Sequence, residues 1–291
     1  MVNKKIFAGS ISNSNLPHPA TREIELDSIG SNPSDLKYPL LIKPAVTQDF
    51  WRFNAKSFIA RNSAEFEEYT EKVAKYGIAI VLQEIVPGPP SNLFGIAGYM
   101  DRNFKLKGTF AYRRIRDWPA GFGCNSLIES IPIRIIESTK RSLEDYLRSI
   151  KYCGLFEAEF KRDDRDGVLK ILEINARGWW QNFFPTVCGL NLVLMAFLDA
   201  VGQKFVYSAN YKTGLRWIYP INDCRAAMTL LKQGQLRISE WISSYRHIKD
   251  FPYLNSGDPL PCLLNPFFVG PIYTKELLRK LGLKSNANRQ Y

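Results

Sequence analysis

One stretch, GLFEAEFKRDDRDGVLKILEINARGWW from Gly154 to Trp180, restricts the folds open to this chain more than any other. Two alternating runs, 155–161 and 168–177, flank the polar turn Asp163-Asp164-Arg165-Asp166-Gly167 and predict a β-hairpin. Successive side chains on a strand point to opposite faces. On the first run Glu157 and Glu159 therefore share one face, and Phe156, Ala158 and Phe160 the other. On the second, Glu173, Asn175 and Arg177 share a face, opposite Leu172, Ile174 and Ala176. One side of the hairpin is apolar; the other gathers three carboxylates, an amide and a guanidinium. Two carboxylates ~4 Å apart repel by roughly 4 kcal/mol at an effective dielectric of ~20, so such a face needs a cation. Glu and Asn offer oxygen ligands, which suit a hard ion, Mg²⁺ before Zn²⁺. Alternation alone leaves two readings open: a divalent-metal site, or a solvated polar face with ion pairing.

The chain has 291 residues, 45% of them apolar and 13% aromatic, enough for one large or two modest domains with a substantial core. No apolar run approaches the ~20 residues of a membrane span, and the apolar run at the N-terminus is too short to be expected to act as a secretory signal. The five cysteines are scattered without CxxC spacing, which argues for free thiols in a reducing compartment, the cytoplasm, and against zinc. A net charge of +11 would suit nucleic acid, an anionic membrane surface or a phosphate-rich ligand. No nucleic-acid-binding motif is visible, and the basic residues are spread along the chain, so no nucleic acid is expected as a partner.

Residues 1–37, rich in Asn, Ser, Pro and Gly, read as an extended approach segment. A short apolar strand at 38–44 ends in Lys43, and a glycine-free loop follows at 45–55. A helix is predicted over 63–76, capped by Ser63 and ended by Gly77. A buried strand at 78–82 runs into Gln83-Glu84-Ile85-Val86, and strands at 91–101 and 105–117 make a second hairpin. Arg114 and Arg116 share a face of that hairpin by parity. Apolar spacing predicts helices over 132–150 and 190–201, then a strand at 214–219, two helices within 223–244, a Pro-rich stretch at 252–271 and a short helix at 275–281. His18 and His247 have no visible catalytic partner and read as incidental. Asn182 and the aromatics Trp179, Trp180, Phe183 and Phe184 could wall a site, with core packing as the preferred reading of the aromatics.

These features in this order resemble the ATP-grasp superfamily, over roughly residues 16–260. The resemblance implies an α+β class, with two α+β subdomains enclosing an ATP cleft. It places an approach segment or linker at 1–37, a small lid subdomain at 38–86, a large subdomain with the metal hairpin at 87–204 and a C-terminal extension at 205–291. By the same resemblance, Glu159 and Glu173 are carboxylate ligands and Asn175 an amide ligand of Mg²⁺, with Mn²⁺ as a substitute. Lys43 reaches the α- and β-phosphates, Glu84, Ile85 and Val86 line the adenine, and Arg114 faces the phosphates; Arg114 and Arg116 could equally pair with the hairpin glutamates as structural partners of the metal site. Arg116 and Arg177 take catalytic roles beside the reacting phosphate. The loop 45–55 closes over the phosphates, where Gln48, Trp51, Asn54 or Lys56 replaces the glycines of many relatives. Many relatives have Pro at the position of Ala176, and a Rossmann-like domain before the linker that is not seen here.

The activity implied is that of a carboxylate–amine ligase forming ADP: a carboxylate attacks the γ-phosphate, and an amine then displaces phosphate from the acyl phosphate. The neighbouring alternatives are use of bicarbonate, or phosphoryl transfer. A non-catalytic ATP-binding module, dependent on a separate chain in place of the N-terminal domain, is a different class, favoured by the glycine-free loop. A basic binder of nucleic acid or membrane surface is a third.

Overall fold

The computed structural model describes residues 3–24, 35–53, 55–119, 121, 123–203, 210–252 and 260. Asn54, most of the Pro-rich stretch at 252–271 and the helix expected at 275–281 lie outside these residues. Two sheets organise what is described. The smaller contains β1 (Thr21–Ile24), β2 (Leu40–Pro44), β3 (Phe58–Ala60) and β4 (Ile80–Glu84), antiparallel in the order β1-β4-β2-β3. Alternation along β2 sends Leu40 and Ile42 into a core with Phe66 and Val73 of the helix at Ser63–Ala74. Lys43 belongs to the opposite parity, on the face away from that core. Asn62, one residue earlier than expected, caps the helix by accepting from the Glu65 N–H at 2.9 Å.

The larger sheet contains β5 (Leu93–Met100), β6 (Leu106–Trp118), β7 (Cys124–Ile131), β8 (Gly154–Arg162), β9 (Leu169–Asn175), β10 (Arg216–Ile218) and β11 (Ile248–Asp250). Its order is β11-β10-β7-β6-β5-β8-β9, antiparallel except for the parallel pair β10–β11. Strand β7 has no counterpart in the sequence reading, and β10 and β11 carry the described part of the expected C-terminal extension into the same sheet. In chain order the helices are α1 (Lys4–Ser12), α2 (Ser63–Ala74), α3 (Glu137–Ser149), α4 (Phe184–Val187), α5 (Leu192–Ala200), α6 (Pro220–Lys232) and α7 (Ile238–Ser243). Among the described residues no helix is long and apolar enough to cross a membrane.

Both faces of the larger sheet are packed. Phe156, Ala158 and Phe160 join Phe94, Ile96 and Ala111 under Leu143, Tyr146 and Leu147 of α3. On the other face Phe110, Tyr112 and Ile128 meet Phe184, Leu192, Met195 and Trp217. Fully burying a side chain such as Phe156 or Phe160 contributes about 1.5–3 kcal/mol, which fixes the register of β8 with its carboxylates on the second face.

Three expectations need correction. Of the four aromatics after the hairpin, Trp179 and Phe184 pack in the core, while Trp180 and Phe183 are exposed. Residues 1–37 are not uniformly extended. Asn3 caps α1 by accepting from the Lys5 and Ile6 N–H groups, and Phe7 and Ile11 anchor the helix on the α3 side of the large sheet. In β9, Leu172 does not share a face with Ile174. The register passes from Glu159↔Glu173 to Phe160↔Ile171, leaving Leu172 as the extra residue of a β-bulge. Packing decides this, because Ile171 and Phe160 both enter the core.

Candidate active site

The hairpin face carries the carboxylates as alternation predicts. Glu159 lies opposite Glu173, and Glu157 opposite Asn175. The Asn175 amide donates to Glu157 Oε2 at 2.8 Å and to Glu173 Oε1 at 3.3 Å. Burial, then repulsion from Glu157 and Glu173, pushes the Glu159 carboxyl up to about 8, although Arg114 and Lys43 pull it down. The Glu157 carboxyl is raised by burial as well. Ionising every carboxyl of this cluster is therefore costly unless a further cation joins it.

The cations come from both sheets. Arg114 Nη2 lies 3.6 Å from Glu159 Oε2, while its Nε donates to Asn125 Oδ1 at 2.5 Å. Lys43 projects from β2 and donates to Gln83 Oε1 at 2.7 Å. Burial lowers the Lys43 pKa, and the charges of Glu173 and Glu159 oppose that shift. Lys4 of α1 is a third cation at this place. Its backbone N–H donates to Ala45 O at 2.9 Å and its Nζ to Thr47 Oγ1 at 2.6 Å, and its charge interacts with Glu173 and Lys43.

The remaining expected site residues divide. Glu84 ends β4, and Ile85 and Val86 follow it where the chain passes between the sheets. The Glu84 carboxylate accepts from the Lys37 N–H at 3.1 Å and lies 3.5 Å from Arg165, and Val86 is buried. Arg177 is exposed beyond β9 and donates to the Gly178 carbonyl at 3.0 Å. Arg116 does not join the carboxylates. A register shift between Arg114 and Arg116 separates their courses, and Arg116 forks onto Asp223 of α6 with both bonds at 2.8 Å. Its Nη2 also donates to Ser244 Oγ at 2.7 Å. The geometry thus gives Arg116 a pairing within the fold and leaves Arg114 beside the hairpin. The loop 45–55 is largely a 3₁₀ turn, Thr47–Phe53, pinned by buried Phe50, with Trp51 exposed. Lys56 Nζ lies 3.2 Å from Cys124 Sγ of the large sheet.

Sequence reasoning did not single out Lys4, Tyr112 or Asn125, and used Glu157 only as part of a face. The Asn3 cap and the Phe7/Ile11 spacing are signals that could have found α1 and hence Lys4. Tyr112 and Asn125 meet the hairpin through strand order, which leaves no local signature.

The donor set suits a hard cation. Among the described residues no three His, Cys, Asp or Glu side chains already form a metal-binding cluster. The candidate set is instead two paired carboxylates, Glu159 and Glu173, plus the Asn175 amide. These oxygens fit Mg²⁺ better than Zn²⁺.

A small antiparallel sheet presenting cations toward carboxylates on a larger one is the ATP-grasp fold, and structural likeness agrees. The biotin carboxylase domain of the Hydrogenobacter thermophilus 2-oxoglutarate carboxylase, a complex with MgADP, matches with a TM-score of 0.59 at 15% identity, covering 74% of this chain and 49% of that one. The L-amino acid ligase from Bacillus licheniformis matches at 0.56 and 15% identity, covering 74% and 52%. In sequence the chain is similar to a D-aspartate ligase of Enterococcus faecium (strain Aus0004), 25% identical over 223 residues, which make up 73% of this chain and 53% of the relative. The chain thus spans about half the length of the curated relative it matches. No protein-family model matches it.

Proposed function

We propose that this chain carries the nucleotide and metal site of an ATP-dependent, ADP-forming carboxylate–amine ligase, which activates a carboxylate as an acyl phosphate for attack by an amine. The observation that carries this reading is the pairing of Glu159 with Glu173 across β8–β9, opposed by the Lys43 charge from the other sheet. In this reading Glu159, Glu173 and Asn175 hold Mg²⁺, with Mn²⁺ as a substitute. When bound, the ion neutralises phosphate charge and orients the transferred group. Lys43 and Lys4 offer ammonium groups to phosphate oxygens, as compact point charges. Glu84, Ile85 and Val86 line the adenine, Arg114 balances the carboxylates, and Arg177 serves the reacting phosphate. No side chain becomes covalently attached; the protein contributes position and charge. The boundaries 1–37, 38–86, 87–204 and 205–291 remain the proposed division.

The likeness to a D-aspartate ligase supports an amino acid as one of the joined substrates. Among the described residues Cys124, Cys153, Cys188 and Cys224 form no disulfide with one another, which suits a reducing cytoplasm. The test is calorimetric titration of MgATP together with ADP release against pools of amino acids and amines. Binding that disappears in Glu173→Ala and Lys43→Ala supports the site; undiminished binding in both refutes it.

One observation favours a second reading, nucleotide binding with turnover dependent on another chain. Phe50 anchors the Thr47–Phe53 turn in the small core, so this segment lacks the freedom of a glycine-rich flap. Binding of MgATP without ADP release, followed by release when a partner protein is added, would select it.

A further inference from the structure

The face of the larger sheet that bears the carboxylates holds a chain of buried polar contacts. Arg114 Nη2 lies 3.6 Å from Glu159 Oε2, and its Nε donates to Asn125 Oδ1 at 2.5 Å. The Asn125 amide donates to the Tyr112 hydroxyl oxygen at 3.4 Å, and that hydroxyl donates to Glu157 Oε1. Glu157 Oε2 accepts from Asn175, whose amide also reaches Glu173. The chain therefore begins at one candidate metal carboxylate and ends at the other. Tyr112, Asn125 and Glu157 are 1%, 3% and 2% exposed, so water cannot substitute for a lost partner without entering the sheet–helix core.

The sheet register makes the link possible. Tyr112 stands opposite Gly95, and Gly95 opposite Glu159. A Cβ on Gly95 would lie 2.1 Å from the Tyr112 ring, so the ring crosses β5 only because that position is glycine. Its hydroxyl thereby reaches Glu157, one strand further on. A tyrosine filling core volume alone would not require its hydroxyl to meet a buried carboxylate in line with the metal set.

We propose that Tyr112 is a positioning residue for the metal site, acting through Glu157 and Asn175, with Gly95 making room for it. This rests on the reading of Glu159, Glu173 and Asn175 as Mg²⁺ ligands. Glu157, held by Tyr112 on one oxygen, orients the Asn175 amide with the other. Ligand orientation by partners behind the coordinating atoms commonly governs metal affinity by about 10–100-fold.

The test compares ADP binding to the full chain by calorimetry in saturating Mg²⁺ and in EDTA, for wild type and Tyr112→Phe, which keeps the ring and removes the hydroxyl. The expected result is a drop of about 10-fold or more in the Mg²⁺-dependent gain in affinity, with metal-free ADP binding unchanged. A structural role alone would move both arms together. In a Glu157→Ala background, Tyr112→Phe should change the metal-dependent gain by less than about twofold, because the partner it acts through is gone. If Tyr112→Phe melts too early to measure, Asn125→Ala leaves the ring in place and should lower the same metal-dependent gain. A Tyr112→Phe protein within about twofold of wild type in that gain would overturn the proposal while leaving the site reading standing. A wild-type protein with no Mg²⁺-dependent gain would overturn the site reading, and the proposal with it.

Discussion

The two ends of the β8–β9 hairpin are built from the same residue types and have opposite electrostatics. At the turn, buried Asp163 accepts from Arg165 Nη2 and from Lys170 Nζ, each at 2.7 Å, and those bonds hold its carboxyl below the usual range. Toward the open end, Glu159 faces Glu173 and burial raises its carboxyl. The turn supplies its own cations within seven residues of the acid. The open end depends on Arg114 from β6 and on Lys43 from the other sheet. A buried acid with local partners stabilises a fold. Buried acids left in excess are maintained at a cost in stability, which makes them candidates for binding a cation.

The largest effect that would break this comparison is expected at the open end. Glu173→Ala should reduce Mg²⁺-dependent ADP formation by more than about 100-fold, exceeding the usual loss for a residue behind the ligands. The same change should leave the urea midpoint near wild type, since it also relieves repulsion. Next comes the turn. Asp163→Ala removes charge-assisted bonds of a fully buried carboxylate and should cost about 2 kcal/mol in urea unfolding, with nucleotide affinity unchanged.

The acid limb of the stability curve sharpens the contrast further. The Asp163 carboxyl is lower in the folded chain than in the unfolded one, so its contribution is present above the ordinary Asp pKa. It is lost as pH falls through the folded value. Wild-type stability should therefore fall more steeply below about pH 4 than that of Asp163→Asn, as measured by urea midpoints across pH. The smallest effect is expected from Arg165→Ala. Arg165 is half-exposed and Lys170 still serves Asp163, so the change should cost less than about 1 kcal/mol by the same unfolding measurement.

The alternation of the hairpin was legible because period-2 patterning needs only local sequence, and it placed Glu159, Glu173 and Asn175 on the correct face. The bulge at Leu172 was not, because choosing Ile171 for the core depends on Phe160 across the strand. Helix α1 was hidden by the polar composition around Phe7 and Ile11. Strand β7 follows a Gly-rich segment and has no clear alternation to announce it. Parity put Arg116 on a face with Arg114 and the resemblance implied a site role, yet a register shift turns its fork to Asp223, 107 positions away in sequence. Tyr112 reaches Glu157 only because β5 lies between β6 and β8 with a glycine at the crossing. Contacts of this kind follow from strand order and leave no trace in spacing.

The most direct measurement is a crystal structure with ADP and Mn²⁺, using the anomalous signal to locate the ion. The account predicts a manganese peak bound by Glu159, Glu173 and Asn175, with the diphosphate turned toward Lys43. Manganese bound elsewhere, or nucleotide seated with its phosphates away from Lys43, would contradict it.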